Sequence, residues 1–333
     1  MSLQHRFIRT VAGFAALLGA TLVFAPLIGP TRISLARAFD FSLPFTDNTD
    51  AQIFFIARLP RTLAGAAVGA LFASAGVVFQ GLLRNALATP FTLGVSTGAA
   101  LGAVLAISLN WTISVAGISA VPVAAFAGSL AAVGIVYALA QARHRGISTT
   151  VLLLAGVTMN AFFSAMILFV QYFASFADVY RTLRWLMGDL DVSSYEPLLA
   201  ALPALVLASA AFAWLARPLN LLALGADSAE SRGLDVARAQ RVAFFSASLA
   251  TGAAVSIGGP IGFIGIIIPH LVRLLVGSDH RLVLPASALF GASFLVACDV
   301  VARTILAPIE LPVGIITALI GGPFFLWLLI RKR

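Results

Sequence analysis

The stretch GGPIGFIGIIIPHLVRLLVGSDHR, Gly258 to Arg281, is apolar enough to lie in a membrane, yet four glycines fall between Gly258 and Gly265 and prolines stand at 260 and 269. Such residues free backbone N–H and C=O groups that lipid cannot satisfy. A helix that only anchored a protein would avoid them. The stretch is therefore expected to be a working part, its broken backbone buried against other helices or a water-filled cavity.

The rest of the chain reads as membrane too. Its 333 residues are 60% hydrophobic and 10% charged, with a mean hydropathy of +1.02, which excludes a soluble globule with an ordinary surface. Apolar runs of about 17–25 residues, the length that crosses a core about 30 Å thick, number about ten: 7–28, 60–83, 92–109, 120–140, 150–173, 197–214, 242–257, 261–276, 284–301 and 311–330. The seventh and eighth are short and parted only by Gly258-Gly259-Pro260, which leaves nine as the alternative. The expected fold class is an all-α polytopic membrane protein, a single transmembrane domain over 1–333. The first run follows Arg6 and Arg9 and exceeds a signal-peptide core of about 7–15 residues, so it is expected to stay attached as the first span.

With ten spans and a cytosolic amino terminus, fourteen basic residues fall inside and seven outside, the sense the positive-inside rule requires. A cytosolic face beside anionic membrane lipid then accounts for the formal charge of +8, and no basic stripe with interleaved aromatics points to nucleic acid. Cys298 is the single cysteine, and His5, His144, His270 and His280 stand in separate segments without metal-ligand spacing. Lys332 is the only lysine, so no GxxxxGK[ST] phosphate loop is present. If ATP powers the protein, a second chain must bind it together with Mg; this chain is expected to hold no cofactor or metal.

The largest polar insert on the inner side is RPLNLLALGADSAESRGLDVARAQR, Arg217 to Arg241. Ser228-Ala229-Glu230 is expected to start a short helix, with Asp227 near its amino end and Gly233 where it stops. A mechanical contact and a plain solvated connector fit this pattern equally. At Arg58-Leu59-Pro60-Arg61 two arginines precede the second span on the outer side, where pattern alone favours headgroup anchoring. Gly94, Gly98 and Gly102, at four-residue spacing, suit tight helix packing. Asp299 and Arg303, four apart, read as an ion pair or an interface pair rather than a proton relay.

Several long motifs in order, RLPRTLAGAAVGALFASAGVVFQGLLRNALATPFTLGVSTGAALGA, LLLAGVTMNAFFSA, LNLLALGADSAESRGLD, GPIGFIGIIIPHLVRLLVGSDHRLVLPASALFGASFLVACDVVAR and ELPVGIITALIGGPFFLWLL, resemble the FecCD-type permeases over about Arg58 to Trp327. These are membrane subunits of ATP-binding-cassette importers for iron-siderophores, haem and cobalamin. The resemblance implies the type II importer permease fold, with ten helices per subunit, both termini cytosolic, and an inverted repeat of helices 2–5 and 7–10. The opposite topology of the two halves agrees with the independent span count. It further implies that the Gly258–Phe263 segment turns at the outer side and that a helix from Ile264 returns inward, with His270 and Arg273 toward its inner end.

Residue by residue, the resemblance implies that Leu224, Gly225, Ala226, Ser228, Ala229, Gly233 and Leu234 dock into the ATPase. It implies an inner gate at Ser148, Thr149 and Thr150 and a second constriction at Asn85 and Leu87. It also places Arg58, Arg61 and Arg303 where acidic residues of a binding protein dock. One departure is Asn85-Ala86-Leu87-Ala88 where the family usually reads Asn-Pro-Leu-Ala, which bears on that loop's rigidity.

The function these features imply is the permease of a binding-protein-dependent importer in the inner membrane. It would act as a homodimer with two ATPase subunits and a periplasmic or lipid-tethered binding protein. Ferric siderophore is the expected cargo, as the commonest use of the family, with haem or cobalamin as alternatives. An ion-coupled secondary transporter would need intramembrane carboxylates or histidines, for which Asp299 is almost the only candidate. A membrane-embedded enzyme would need paired carboxylates, a metal cluster or an activated nucleophile, none of which is visible.

Overall fold

The computed structural model of the chain describes residues 3–114, 117–141 and 149–331. In chain order its helices are α1 (Leu3–Phe24), α2 (Leu35–Ala38), α3 (Thr49–Gln52), α4 (Leu59–Leu83), α5 (Val95–Ser108), α6 (Ala120–Gln141), α7 (Thr149–Tyr172), α8 (Phe176–Leu186), α9 (Glu196–Leu222), α10 (Ala226–Glu230), α11 (Val236–Gly258), α12 (Ile264–Val276), α13 (His280–Ala302) and α14 (Val313–Arg331). A π-helical turn, Ile53–Arg58, joins α3 to α4. The ten expected spans correspond to α1, α4, α5, α6, α7, α9, α11, α12, α13 and α14. Among the described residues, seven helical stretches are long and apolar enough to cross a membrane, and α5, α12 and part of α14 are shorter apolar helices.

The opening stretch shows why a span can be short. Thirteen helical residues in α12 rise about 20 Å, so the remaining depth is covered by non-helical backbone. Gly259 (φ 67°) ends α11 and Phe263 (φ 67°) precedes α12 in left-handed conformation. The turn is packed in protein: Gly258 O accepts the amide of Asp189 at 3.0 Å, and Ile261 is fully buried. Irregular backbone at a membrane boundary is thus held by protein groups.

Small residues set how the helices cross. A methyl built on Gly69 of α4 would lie 2.2 Å from the carbonyl oxygen of Gly291 on α13, and one on Gly252 of α11 would lie 2.2 Å from Ser129 Oγ on α6. The first helix of each half therefore crosses the third helix of the other, the reciprocal packing of an inverted repeat. Gly98 and Gly102 of α5 abut Ala124, Gly128 and Ala132 of α6, as their spacing predicts. Gly94 does not share that role: at φ 76° it forms the turn that opens α5.

The polar insert at 217–241 is much smaller than its composition suggests. α9 continues through Pro218 to Leu222, and α11 begins at Val236, where the carboxylate of Asp235 accepts the amide of Arg238 at 2.9 Å. α10 starts at Ala226, two residues before Ser228. The amphipathic α8 was not anticipated; Ser175 caps it and bonds Asp178 at 2.7 Å.

Candidate functional site

Two regions, at opposite ends of the helices, hold the residues singled out in the sequence. On the arginine-rich side, α9 ends at Leu222 and the chain reverses through Gly225 (φ 107°) into the single turn of α10. Gly233 (φ 81°) closes it: its amide donates to Glu230 O at 2.8 Å and that of Leu234 to Ala229 O at 3.1 Å. This pair of bonds is a Schellman motif, which needs a left-handed residue at its centre. Ala229 is fully buried, so it pins the turn onto α9 and α11, whereas Leu224 is 53% exposed and Ser228 faces outward. A rigid knob with an uncovered leucine is suited to insertion into another protein.

Beneath the knob, polar bonds tie four helices together. Asn220 of α9 donates to Asp279 Oδ1 at 2.7 Å and accepts the amide of His280 at 2.9 Å. Burial raises the Asp279 carboxyl, but the bonds from Asn220 and Arg281 outweigh it and hold the group below its ordinary range. Arg273 of α12 donates to Gln80 of α4, whose amide reaches Gly265 O at 3.1 Å. The first set joins α9 to the start of α13, and the second joins α12 to α4.

Asn85 and Leu87 lie beside it in the turn after α4, and Arg84, Asn85, Ala223 and Arg273 line a cavity of about 300 Å³. Asn85 Oδ1 accepts the amide of Leu87 at 2.9 Å, and Ala88 bonds back to Asn85 O at 3.1 Å. The turn is closed by these bonds in place of the proline the family usually carries. Thr149 and Thr150 open α7, with Thr150 exposed. Ser148 lies outside the described residues.

At the other end the three arginines expected at a docking site are drawn into the protein. Arg58, Arg61 and Arg303 are 5%, 7% and 2% exposed. Arg61 bonds Asp299 Oδ1 at 2.9 Å and Glu310 Oε2 at 2.5 Å. Arg303 donates to Ala25 O at 2.7 Å and approaches Asp299 Oδ2 at 3.7 Å, so the expected i,i+4 ion pair is present. Arg58 donates to the carbonyls of Pro26, Leu27 and Thr31. The cause is local: carbonyls left unsatisfied where α1 ends, together with the buried Asp299, draw the guanidiniums inward. Glu310, with a side chain 37% exposed, is the charged group of this cluster that reaches the surface.

Comparison with known proteins agrees with this architecture. The model of the FecCD transport family matches residues 17–331. The cobalamin import system permease protein BtuC of Halobacterium salinarum is 47% identical over 297 residues, 89% of this chain and 78% of that protein. The hemin transport system permease protein HmuU of Yersinia pestis is 40% identical, covering 86% of each chain. A solved structure of a metal-chelate type ABC transporter in an inward-facing conformation superposes with a TM-score of 0.81 at 33% identity, over 98% of this chain and all of that one. With ten apolar helices among the described residues in the order of an inverted repeat and a family match over nearly its whole length, the chain is a multi-pass membrane permease of the FecCD transport family.

Proposed function

We propose that the chain is the permease subunit of a binding-protein-dependent importer that moves a large metal chelate inward, works as a pair of identical subunits, and is driven by ATP hydrolysed on two partner ATPases. The observation that carries this reading is the α10 knob, a rigid, partly apolar projection with Leu224 uncovered on the arginine-rich side. By the positive-inside rule that side, with both termini, faces the cytosol. A binding protein would dock at the opposite end. There an acidic side chain of the partner would replace Glu310 on Arg61, and Arg58 and Arg303 would brace the site from below.

Among possible cargoes, the names of the two relatives favour a tetrapyrrole chelate, cobalamin or haem, over the ferric siderophore suggested by the family's commonest use. The test is titration of the cognate binding protein with cobalamin, haemin and a ferric siderophore. Tight binding of cobalamin or haemin alone supports the reading; tight binding of the siderophore alone returns the cargo to that class.

A further inference from the structure

A cavity of about 820 Å³ borders the polar network beneath the knob, in a groove between α1, α9 and α13. Phe7, Phe212, Leu284 and Pro285 wall it, and Arg217 and Arg281 stand at its arginine-rich end. We propose that this groove binds one anionic phospholipid of the adjoining leaflet, with its phosphate on the two guanidiniums and an acyl chain along the apolar walls.

Three observations carry the assignment. The arginines come from different helices, yet their backbones are locked together: Asn220, one turn beyond Arg217, bonds both Asp279 and His280, the residues just before Arg281. The donors also have capacity to spare. Arg217 is exposed and makes no hydrogen bond or ion pair among the described residues, and Arg281 spends only its Nε on Asp279, at 3.2 Å. Finally, no acidic side chain lines the groove and Asp279 offsets only one of the two arginine charges, so an occupant that brings both negative charge and an apolar body fits it. A phospholipid has both, and α1, little buried along its length, leaves the groove open toward lipid. A basic pocket between membrane helices is a recognised setting for anionic headgroups.

The test is native mass spectrometry of the full chain in neutral detergent, titrated with phosphatidylglycerol or with phosphatidylcholine of the same acyl chains. The wild type is expected to retain phosphatidylglycerol at least about fivefold better, roughly the contribution of one basic side chain near a membrane surface. Arg217→Gln with Arg281→Gln should abolish that preference, and Arg217→Lys with Arg281→Lys should keep most of it. Arg238→Gln with Arg241→Gln, in a separate basic groove between α6 and α11, should leave it unchanged. Millimolar inorganic phosphate should not displace the lipid. Equal retention of the two lipids by the wild type, loss of preference in the Arg238 and Arg241 variant, or displacement by phosphate alone would each overturn the proposal.

Discussion

Arg61 on α4 and Asp299 on α13 meet at 2.9 Å although 238 positions separate them in the chain. Asp299 is 1% exposed and also faces Arg303, so one carboxylate is shared by two buried guanidiniums, with Glu310 supplying a second negative charge to Arg61. Removing one member of such a set leaves charge without compensation inside the protein. Asp299→Ala is expected to lower stability by about 3–5 kcal/mol, measured as unfolding in detergent. Glu310→Gln alters a half-exposed partner and should cost under about 1 kcal/mol. Equal losses in the two variants would contradict the central place given to Asp299.

Where α4 crosses α13, a Cβ on Gly69 would strike backbone at 2.2 Å, while one on Gly134 of α6 meets nothing within 4 Å. Gly69→Ala should therefore force the helices apart and sharply reduce the folded yield. Gly134→Ala should be neutral or stabilising by up to about 1 kcal/mol, because alanine is the better helix former. Size-exclusion profiles and thermal midpoints of the two variants check this, and similar behaviour would contradict the crossing.

Gly233 has open space around it but sits at φ 81°. A β-branched residue would fit the space and not the backbone. Gly225→Val with Gly233→Val is expected to leave the permease folded and paired while uncoupling ATP hydrolysis from uptake. Normal coupled uptake by that double variant would remove the transmission role from the α10 knob.

Thr150 begins α7 and is exposed. In a background with the buried Cys298 changed to serine, Thr150→Cys should form a disulfide between two subunits when the inner gate is closed, and form it less readily when the gate is open, since bridged Cα atoms must lie within about 7 Å. Nucleotide-dependent cross-linking on a denaturing gel reads this out. The same yield in every nucleotide state would remove the gate assignment.

Much of the fold was legible because lipid imposes a length on each span, so each of the ten apolar runs overlaps a helix among the described residues, although α9 runs eight residues past its expected end and α11 begins six before its expected start. Pro218 was less transparent: it looks like a stop, yet α9 passes through it with the ring buried, so the helix end at Leu222 could not be read from the proline alone. Asp299 and Arg303 were legible as a pair because four residues make one helical turn. The burial of Arg58 and Arg61 was not, because it depends on carbonyls at 26, 27 and 31 and carboxylates at 299 and 310, which the fold brings near from distant segments. Gly94 showed the limit of spacing as a signal, since a turn glycine and a packing glycine look alike in sequence.

The most direct measurement of the account reconstitutes the permease in proteoliposomes with its ATPase partner and ATP on the arginine-rich side, and supplies the binding protein loaded with chelate on the other. The account predicts uptake that requires ATP, the ATPase and the binding protein together, and that ceases when any one is withheld. Chelate uptake by the permease alone, driven by a proton or sodium gradient without the ATPase, would contradict it.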